Sequence, residues 1–142
     1  MKTVIVTGGS RGIGAAIVKE LANERYNIVL NYNNSEKAAK QIQSKLKEKG
    51  LNVEIFKADV SKREEVKALV QFTLDKFNNI DILINNAGIA QVKPFVDITD
   101  EDWEKMMQVN LNSVFYCTQE VLENMIHNKN GCIINISSIW GI

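Results

Sequence analysis

The chain has 142 residues, of which 45% are hydrophobic and 24% charged, and its 17 basic residues balance its 17 acidic residues. This length suits one domain with its own core and is too short for two. A net charge of zero argues against a protein that binds nucleic acid. No apolar run approaches the ~20 residues that cross a bilayer, and a first strand from Thr3 leaves no room for a signal peptide. We expect a cytoplasmic protein that binds neither nucleic acid nor a membrane.

The two cysteines and the single histidine do not form a recognisable motif. Cys117 and Cys132 each lie in an apolar stretch without CxxC spacing, so we expect small buried thiols rather than a disulfide. One histidine and two separated cysteines cannot supply the usual ligands of a zinc site, and we predict no metal. His127 lies close to the end of a predicted helix, where it complements the helix dipole.

Short apolar runs alternate with helical patterns along the chain. The runs predict buried strands at residues 4–6, 28–30, 53–56, 82–84 and 132–136. The first helix follows a glycine-rich turn and carries Ile13, Ile17 and Leu21 on its apolar face. The second helix begins after Ser35, which can cap it, and stops at Gly50.

Two further helices follow the third and fourth strands. Ser61 and Glu64 have the spacing of a capping box at the start of the third helix. Its apolar stripe is Val66, Leu69, Val70, Thr73, Leu74 and Phe77. Thr99 is the expected cap of a long helix that continues to Asn128. The stripe expected to face inward on that helix is Trp103, Met107, Leu111, Val114, Thr118, Leu122 and Met125.

Five strands that alternate with helices through short connections predict an α/β fold. Strand–helix–strand crossovers make neighbouring strands parallel and place helices on both faces of the sheet. We therefore predict one domain over residues 1–142, a doubly wound Rossmann fold of three layers with strand order 3-2-1-4-5.

The turn between the first strand and the first helix reads TGGSRGIG from Thr7. Gly8 permits the tight turn, Gly12 lets the backbone approach a diphosphate, and Gly14 allows the helix to pack against the sheet. The helix N-terminus adds free N–H groups and a partial positive charge. We predict that this turn, with Ser10, Arg11 and Ile13 in it, binds the diphosphate of a dinucleotide. The alternative is a glycine-rich turn without a ligand.

The glycine spacing G-x-x-x-G-x-G and the run NNAG from Asn85 resemble the short-chain dehydrogenase/reductase family. Asn110 and Ser138 also fall where that family keeps functional residues, so four motifs match in the right order between residues 1 and 142. The resemblance implies a nicotinamide cofactor. It implies that Asp59 and Val60 flank the adenine ring, with Asp59 accepting from its amino group. The cofactor ribose would then be lined by the turn formed by Asn86, Ala87 and Gly88.

The resemblance also implies two catalytic residues. Asn110 would interrupt the long helix and hold a water in a proton relay, and Ser138 would hydrogen-bond the substrate carbonyl. Taken without the family, Asn110 fits a buried core amide and Ser138 a strand-end hydroxyl. In the family, a later Tyr donates the proton and a Lys one helical turn beyond it lowers the pKa of that Tyr. None of the three tyrosines of this chain has a Lys four positions on, so we expect an incomplete reductase that is inactive by itself.

The end of the second strand predicts which cofactor is bound. Rossmann domains that prefer NAD place an Asp or Glu there, whereas the segment 31–35 carries neither. The amides of Asn33 and Asn34 can donate to the extra phosphate of NADP, and Arg11 adds a charge-assisted partner. In the family, a basic residue at this place accompanies NADP preference. We therefore expect NADP(H).

The substrate class is suggested only by similarity. Residues 85–89, 103–111 and 134–138 resemble bacterial 3-oxoacyl-[acyl-carrier-protein] reductases, which reduce a β-keto thioester in fatty-acid elongation. The expected function is an NADPH-dependent carbonyl reductase acting on a small or carrier-bound ketone. Reductases of sugars, steroids or a modified protein side chain remain alternatives, as does a non-catalytic NADP-binding protein. Because family members pair the long helix across a two-fold axis, we expect a homodimer or homotetramer.

Overall fold

In a computed structural model, residues 1–138 form five strands and five α-helices. The strands are β1 (Thr3–Val6), β2 (Asn27–Tyr32), β3 (Val53–Lys57), β4 (Ile82–Asn85) and β5 (Cys132–Asn135). The helices are α1 (Gly12–Asn23), α2 (Glu36–Lys47), α3 (Arg63–Phe77), α4 (Asp100–Met107) and α5 (Ser113–His127). A 3₁₀ turn at Phe95–Asp97 precedes α4, and a π-helical turn at Gln108–Asn112 joins α4 to α5. No helix within residues 1–138 is both long and apolar enough to cross a membrane.

The sheet has the order β3-β2-β1-β4-β5, and all its strands are parallel. The predicted fold class and strand order are therefore confirmed. Val4 of β1 lies between Ile28 of β2 and Ile82 of β4. The chain thus runs outward to one side of β1 and then to the other, and in such sheets this reversal opens a crevice at the carboxyl ends of the strands.

Two apolar cores lie on opposite faces of the sheet. Val4 and Val6 of β1 belong to the core under α1 and α2, whereas Ile5 belongs to the core under α3 and α5. All three side chains are fully buried. Because successive side chains of a strand point to opposite faces, this short apolar run serves both cores, and the three predicted layers result.

The start of α3 differs from the expected capping box. The helix begins after Lys62, and the structure shows no side-chain cap there. The hydroxyl of Ser61 donates instead to Oδ1 of Asp59 at 2.6 Å, and Glu64 pairs with Lys67 at 2.9 Å. The Ser61 hydroxyl thus donates to Asp59, and α3 begins one residue later than the predicted cap implies. The predicted apolar stripe of α3 is confirmed, with Val66 to Thr73 supplying its buried positions.

The long helix expected from Thr99 to Asn128 is two α-helices joined by the π-helical turn. Thr99 does cap α4, in a capping box with Asp102. The expected inward stripe is wrong at Trp103, Leu111 and Leu122, which are exposed. The buried stripe of α5 consists of Ser113, Cys117, Val121 and Met125. Apolar residues occur on two faces of α5, and periodicity alone does not tell which face meets the sheet.

Two other burial expectations need correction. Ile13 is 64% exposed, because α1 packs through a narrower stripe of mostly small residues that includes Gly14 and Val18. Cys132 is exposed, since β5 lies at the edge of the described sheet. Cys117 is buried as expected. Its burial, with a smaller effect of Glu120, raises the pKa of the thiol to about 12.

Candidate cofactor-binding site

A cleft of about 700 Å³ opens at the carboxyl ends of the strands. Eleven of the thirteen predicted cofactor residues line it: Gly8, Ser10, Arg11, Gly12, Asn33, Asn34, Asp59, Val60, Asn86, Ala87 and Gly88. Ile13 and Gly14 lie outside the lining, at the start of α1. The lining also includes Lys62 and Lys105, which belong to no sequence motif. The described residues bring together no group of three His, Cys, Asp or Glu side chains that could hold a metal ion.

The glycines of the turn each meet a different steric demand. Gly8 and Gly12 have φ of +62° and +52°, in the left-handed region that glycine adopts without strain. A Cβ at Gly14 would lie 2.4 Å from the carbonyl oxygen of Gly8 and 2.5 Å from Nδ2 of Asn86. Gly14 therefore lets the helix begin directly under its own turn. A Cβ at Gly12 would meet nothing within 4 Å, so the space there is open to a ligand.

The start of α1 offers backbone donors to an anion. Its first N–H groups, from Gly12 onward, have no acceptor within the helix, and its first turn carries no acidic residue. The amides of Gly8 and Gly9 are already hydrogen-bonded. The Gly8 amide donates to Oδ1 of Asn31 at 3.3 Å, and the Gly9 amide donates to the carbonyl oxygen of Asn31 at 2.9 Å. An anion would therefore be held by the later amides of the turn, beside the exposed Arg11.

The turn after β4 is bonded to the turn after β1. Thr7 Oγ1 accepts from the backbone amides of Asn86 and Ala87, both at 3.0 Å. Nδ2 of Asn86 donates to the carbonyl oxygens of Thr7 and Gly8 at 3.0 and 3.1 Å. The Asn86 side chain thus holds the cleft wall together, although the resemblance implied contact with the ribose. Thr7 begins the predicted turn, but no role was expected for its hydroxyl; its position at the end of a buried strand is the signal that could have indicated one.

The loop after β3 shapes the predicted adenine end. Oδ1 of Asp59 accepts from the backbone amide and the hydroxyl of Ser61 at 3.0 and 2.6 Å. The amide of Asp59 donates to Oε2 of Glu65 at 2.6 Å. The second carboxylate oxygen of Asp59, Oδ2, lies 3.9 Å from Nζ of Lys62. Asp59 is therefore fixed through one oxygen, and the other is the one suited to accept from a ligand amino group.

Asn110 lies in the π-helical turn, so the expected interruption of the long helix is present. Its Oδ1 accepts from the amide of Ile89 at 2.8 Å, and its Nδ2 donates to the carbonyl oxygen of Ile89 at 2.9 Å. The residue is exposed rather than buried, which corrects the sequence interpretation. Its amide is nevertheless satisfied by the backbone, and it fixes the loop that continues from Gly88.

Ser138 is exposed and follows β5, three residues beyond the end of the strand. Because β5 runs parallel to β4, Ser138 and the turn at Asn86 both follow the carboxyl ends of their strands, at the same edge of the sheet. Nδ2 of Asn85 and Oδ1 of Asn135 are 2.9 Å apart, which joins the ends of the two strands. Ser138 is not among the residues that line the cleft.

The sequence of this chain matches a known protein family. Residues 2–142 match the family model for short chain dehydrogenases. The chain belongs to the short-chain dehydrogenase/reductase family. Its relatives include a 3-oxoacyl-[acyl-carrier-protein] reductase FabG of Staphylococcus epidermidis, 37% identical over 140 residues, which covers 99% of this chain and 57% of the relative. A 3-oxoacyl-[acyl-carrier-protein] reductase of Synechocystis is 39% identical over 141 residues, with the same two coverages.

Solved structures of short-chain dehydrogenase/reductase proteins share the fold closely. A double mutant of the Serratia marcescens short-chain dehydrogenase/reductase superimposes with a TM-score of 0.92 at 38% identity, covering 97% of this chain and 56% of the other. The crystal structure of gox2181 also gives 0.92, at 33% identity, covering 99% and 55%. The chain therefore spans little more than half the length of the relatives it matches.

The open space at Gly12 leads to the first prediction. Gly12→Ala and Gly50→Ala each place a Cβ on a left-handed residue with no neighbour within 4 Å, and Gly50 lies far from the cleft, after α2. Each should lower the free energy of unfolding by about 1 kcal/mol. Only Gly12→Ala should weaken the binding of a nicotinamide dinucleotide to the full-length protein, by about tenfold or more, measured by calorimetry. Equal affinities in the two variants would contradict the placement of the diphosphate at Gly12.

Proposed function

We propose that the full-length protein is a cytoplasmic, NADPH-dependent carbonyl reductase and that residues 1–142 form its NADP(H)-binding domain. Its substrate is the 3-oxo group of an acyl thioester, as in fatty-acid elongation. The observation that carries this proposal is the cleft, which joins a left-handed glycine turn to a helix start without acidic residues. The names of the relatives, which are 3-oxoacyl-[acyl-carrier-protein] reductases, support the substrate class.

The charge distribution of the cleft supports NADP over NAD. Its cationic lining residues are Arg11, Lys62 and Lys105, and its one carboxylate is Asp59. Oδ1 of that carboxylate is engaged by Ser61, as described above. A positive cleft in a chain of zero net charge favours the ligand with the additional phosphate. Neutral residues at the end of β2 present no charge that would repel it.

The chain's own residues would position the reactants. When bound, the nicotinamide supplies the hydride for the carbonyl carbon. The Ser138 hydroxyl would donate a hydrogen bond to the carbonyl oxygen, and Asn110 would hold the Ile89 loop beside it through the bonds described above. A Ser hydroxyl is too weak an acid near neutral pH to supply the proton. In the family to which the chain belongs, a Tyr assisted by a Lys does so, and none of the three tyrosines in residues 1–142 has a Lys four positions on.

Cofactor preference is the second prediction. The full-length protein should bind NADPH about tenfold or more tightly than NADH, equivalent to ~1.4 kcal/mol. Arg11→Ala should reduce the preference for NADPH over NADH and leave NADH affinity nearly unchanged, because the guanidinium is proposed to contact only the additional phosphate. Lys19→Ala removes one positive charge from the exposed surface of α1, which Arg11 precedes, and should leave the preference for NADPH unchanged. Calorimetry with both cofactors decides the matter, and equal wild-type affinities would defeat the phosphate assignment.

Turnover is the third prediction. The full-length protein should oxidise NADPH in the presence of acetoacetyl thioester, and Ser138→Ala should lower kcat by about 10²-fold. Ser137→Ala, a matched change at the neighbouring exposed hydroxyl, should have little effect. Residues 1–142 alone should be slower by a factor of about 10²–10⁴ or more, since they lack the positioned general acid. Turnover by these residues within about tenfold of the full-length rate would show a proton donor elsewhere.

A second candidate function is a cofactor-binding protein without turnover, because neither Asn110 nor Ser138 is among the residues that line the cleft. The same assay separates it from the reductase. Binding of NADPH by the full-length protein, without oxidation of NADPH on β-keto thioesters, sugars or steroid ketones, would favour this candidate.

We also propose a homodimer or homotetramer, formed through the outer face of α4 and α5. Several large apolar side chains are exposed there: Trp103, Leu111, Phe115, Leu122 and Ile126. An apolar surface of this kind on a soluble protein marks an interaction site. The fourth prediction is that sedimentation at micromolar concentration detects a dimer or tetramer, which Ile126→Lys weakens. Val92→Lys, a matched change at an exposed aliphatic residue outside these helices, should not weaken it, and a wild-type monomer would contradict the proposal.

A further inference from the structure

A buried asparagine at the end of β2 joins the two ends of the cofactor cleft. Asn31 is 1% exposed. Its Oδ1 accepts from the amide of Gly8 at 3.3 Å, while its Nδ2 donates to the carbonyl oxygens of Ala58 and Phe56 at 3.0 and 3.4 Å. One side chain therefore contacts the first glycine of the turn and the residue immediately before Asp59.

These contacts lie where the strand ladders stop. Pairing of β1 with β2 ends at Val6 and Leu30, and pairing of β2 with β3 ends at Tyr32 and Lys57. Beyond those pairs, single backbone bonds continue on each side, from Gly9 to the Asn31 carbonyl and from Ala58 to the Tyr32 carbonyl, both at 2.9 Å. The carboxamide of Asn31 supplies a bond to each side at once. It therefore fixes the distance between the turn and the loop after β3.

We propose that Asn31 is a positioning residue for dinucleotide affinity, acting through Gly8 and Ala58. This inference rests on the proposed function, because it concerns the same cleft. A dinucleotide has its diphosphate at the glycine turn and its adenine at Asp59, so its affinity depends on the separation of these two sites. A ligand that reaches only one of them does not depend on that separation.

The carboxamide suits this role because it carries a donor and an acceptor on one rigid plane. Asn31→Ala removes both and leaves the Gly8 amide and the Ala58 carbonyl without this partner. Asn31→Ser keeps a hydroxyl that is too short to reach both sides. In either variant the turn and the adenine loop keep only their single backbone bonds to β2. A dinucleotide must then use binding energy to hold the two segments at the right separation.

Asn27 provides a matched control in the same strand. It is 9% exposed, and its side-chain amide also bonds on both sides, to Thr3 Oγ1 at 3.5 Å and to Asn52 Nδ2 at 3.0 Å. It lies at the opposite end of β2, away from the cleft. Asn27→Ala thus removes a buried two-sided amide, as Asn31→Ala does, without touching either end of the site.

The experiment compares the full-length wild-type protein, Asn31→Ala, Asn31→Ser and Asn27→Ala. The ligands are NADPH, titrated by calorimetry, and adenosine, titrated by nuclear magnetic resonance. Both Asn31 variants should lose about tenfold or more in NADPH affinity and no more than about twofold in adenosine affinity. Asn27→Ala should stay within about twofold of wild type for both ligands, whatever its loss of thermal stability.

The outcomes separate the inference from the proposed function. A wild-type protein that binds neither NADPH nor NADH overturns the proposed function. A wild-type protein that binds NADPH, with Asn31 variants no weaker than Asn27→Ala, overturns the role of Asn31. An equal loss of NADPH and adenosine affinity also overturns it, because that pattern shows general damage to the site. If circular dichroism shows that Asn31→Ala is unfolded, Asn31→Ser is used for the same comparison.

Discussion

The turns that follow β1 and β4 lie where the pairing of these two strands ends, and side chains bond the two turns to each other. Thr7 is buried, and its hydroxyl accepts two amides of the β4 turn, while the Asn86 side chain returns two bonds to the β1 turn. Backbone groups in a half-buried place are costly when unpaired, and this exchange satisfies them on both sides. The two turns therefore form one wall of the cleft, and the conformation of each depends on the other.

The position of α1 follows from that wall. Asn86 Nδ2 and the Gly8 carbonyl occupy the space into which a side chain at position 14 would project, so the helix can begin there only on a glycine. Small residues continue the buried stripe of α1, with Ala15 after Gly14 and Ala22 near its end. The helix consequently lies close to the sheet, and its free N–H groups come to the edge of the cleft. The steric constraint at position 14 and the free N–H groups at the edge of the cleft thus have the same cause.

The fold was predictable because its signals are local: five apolar runs separated by helical patterns, and a glycine turn within eight residues. The remaining features depend on competition between distant groups. Nothing local marks Thr7 as the partner of Asn86, which is 79 residues away, or Asn31 as the partner of Ala58. The capping box predicted at Ser61 is absent because α3 begins only at Arg63, after Lys62. Exposure of Asn110 depended on a π-helical turn that periodicity does not reveal.

That π-helical turn connects the predicted catalytic side of the cleft to its cofactor side. A single extra residue in a helix frees backbone groups and redirects a side chain, which is why such turns occur at functional sites. Here the redirected Asn110 bonds both backbone groups of Ile89, and its Oδ1 would lie 3.3 Å from a Cβ at Gly88. Because Gly88 continues the turn that Asn86 fixes to Thr7, hydrogen bonds made by the side chains of Thr7, Asn86 and Asn110 join the glycine turn, the turn after β4 and the Ile89 loop in one series. The proposed cofactor site and Asn110 therefore share one hydrogen-bonded support.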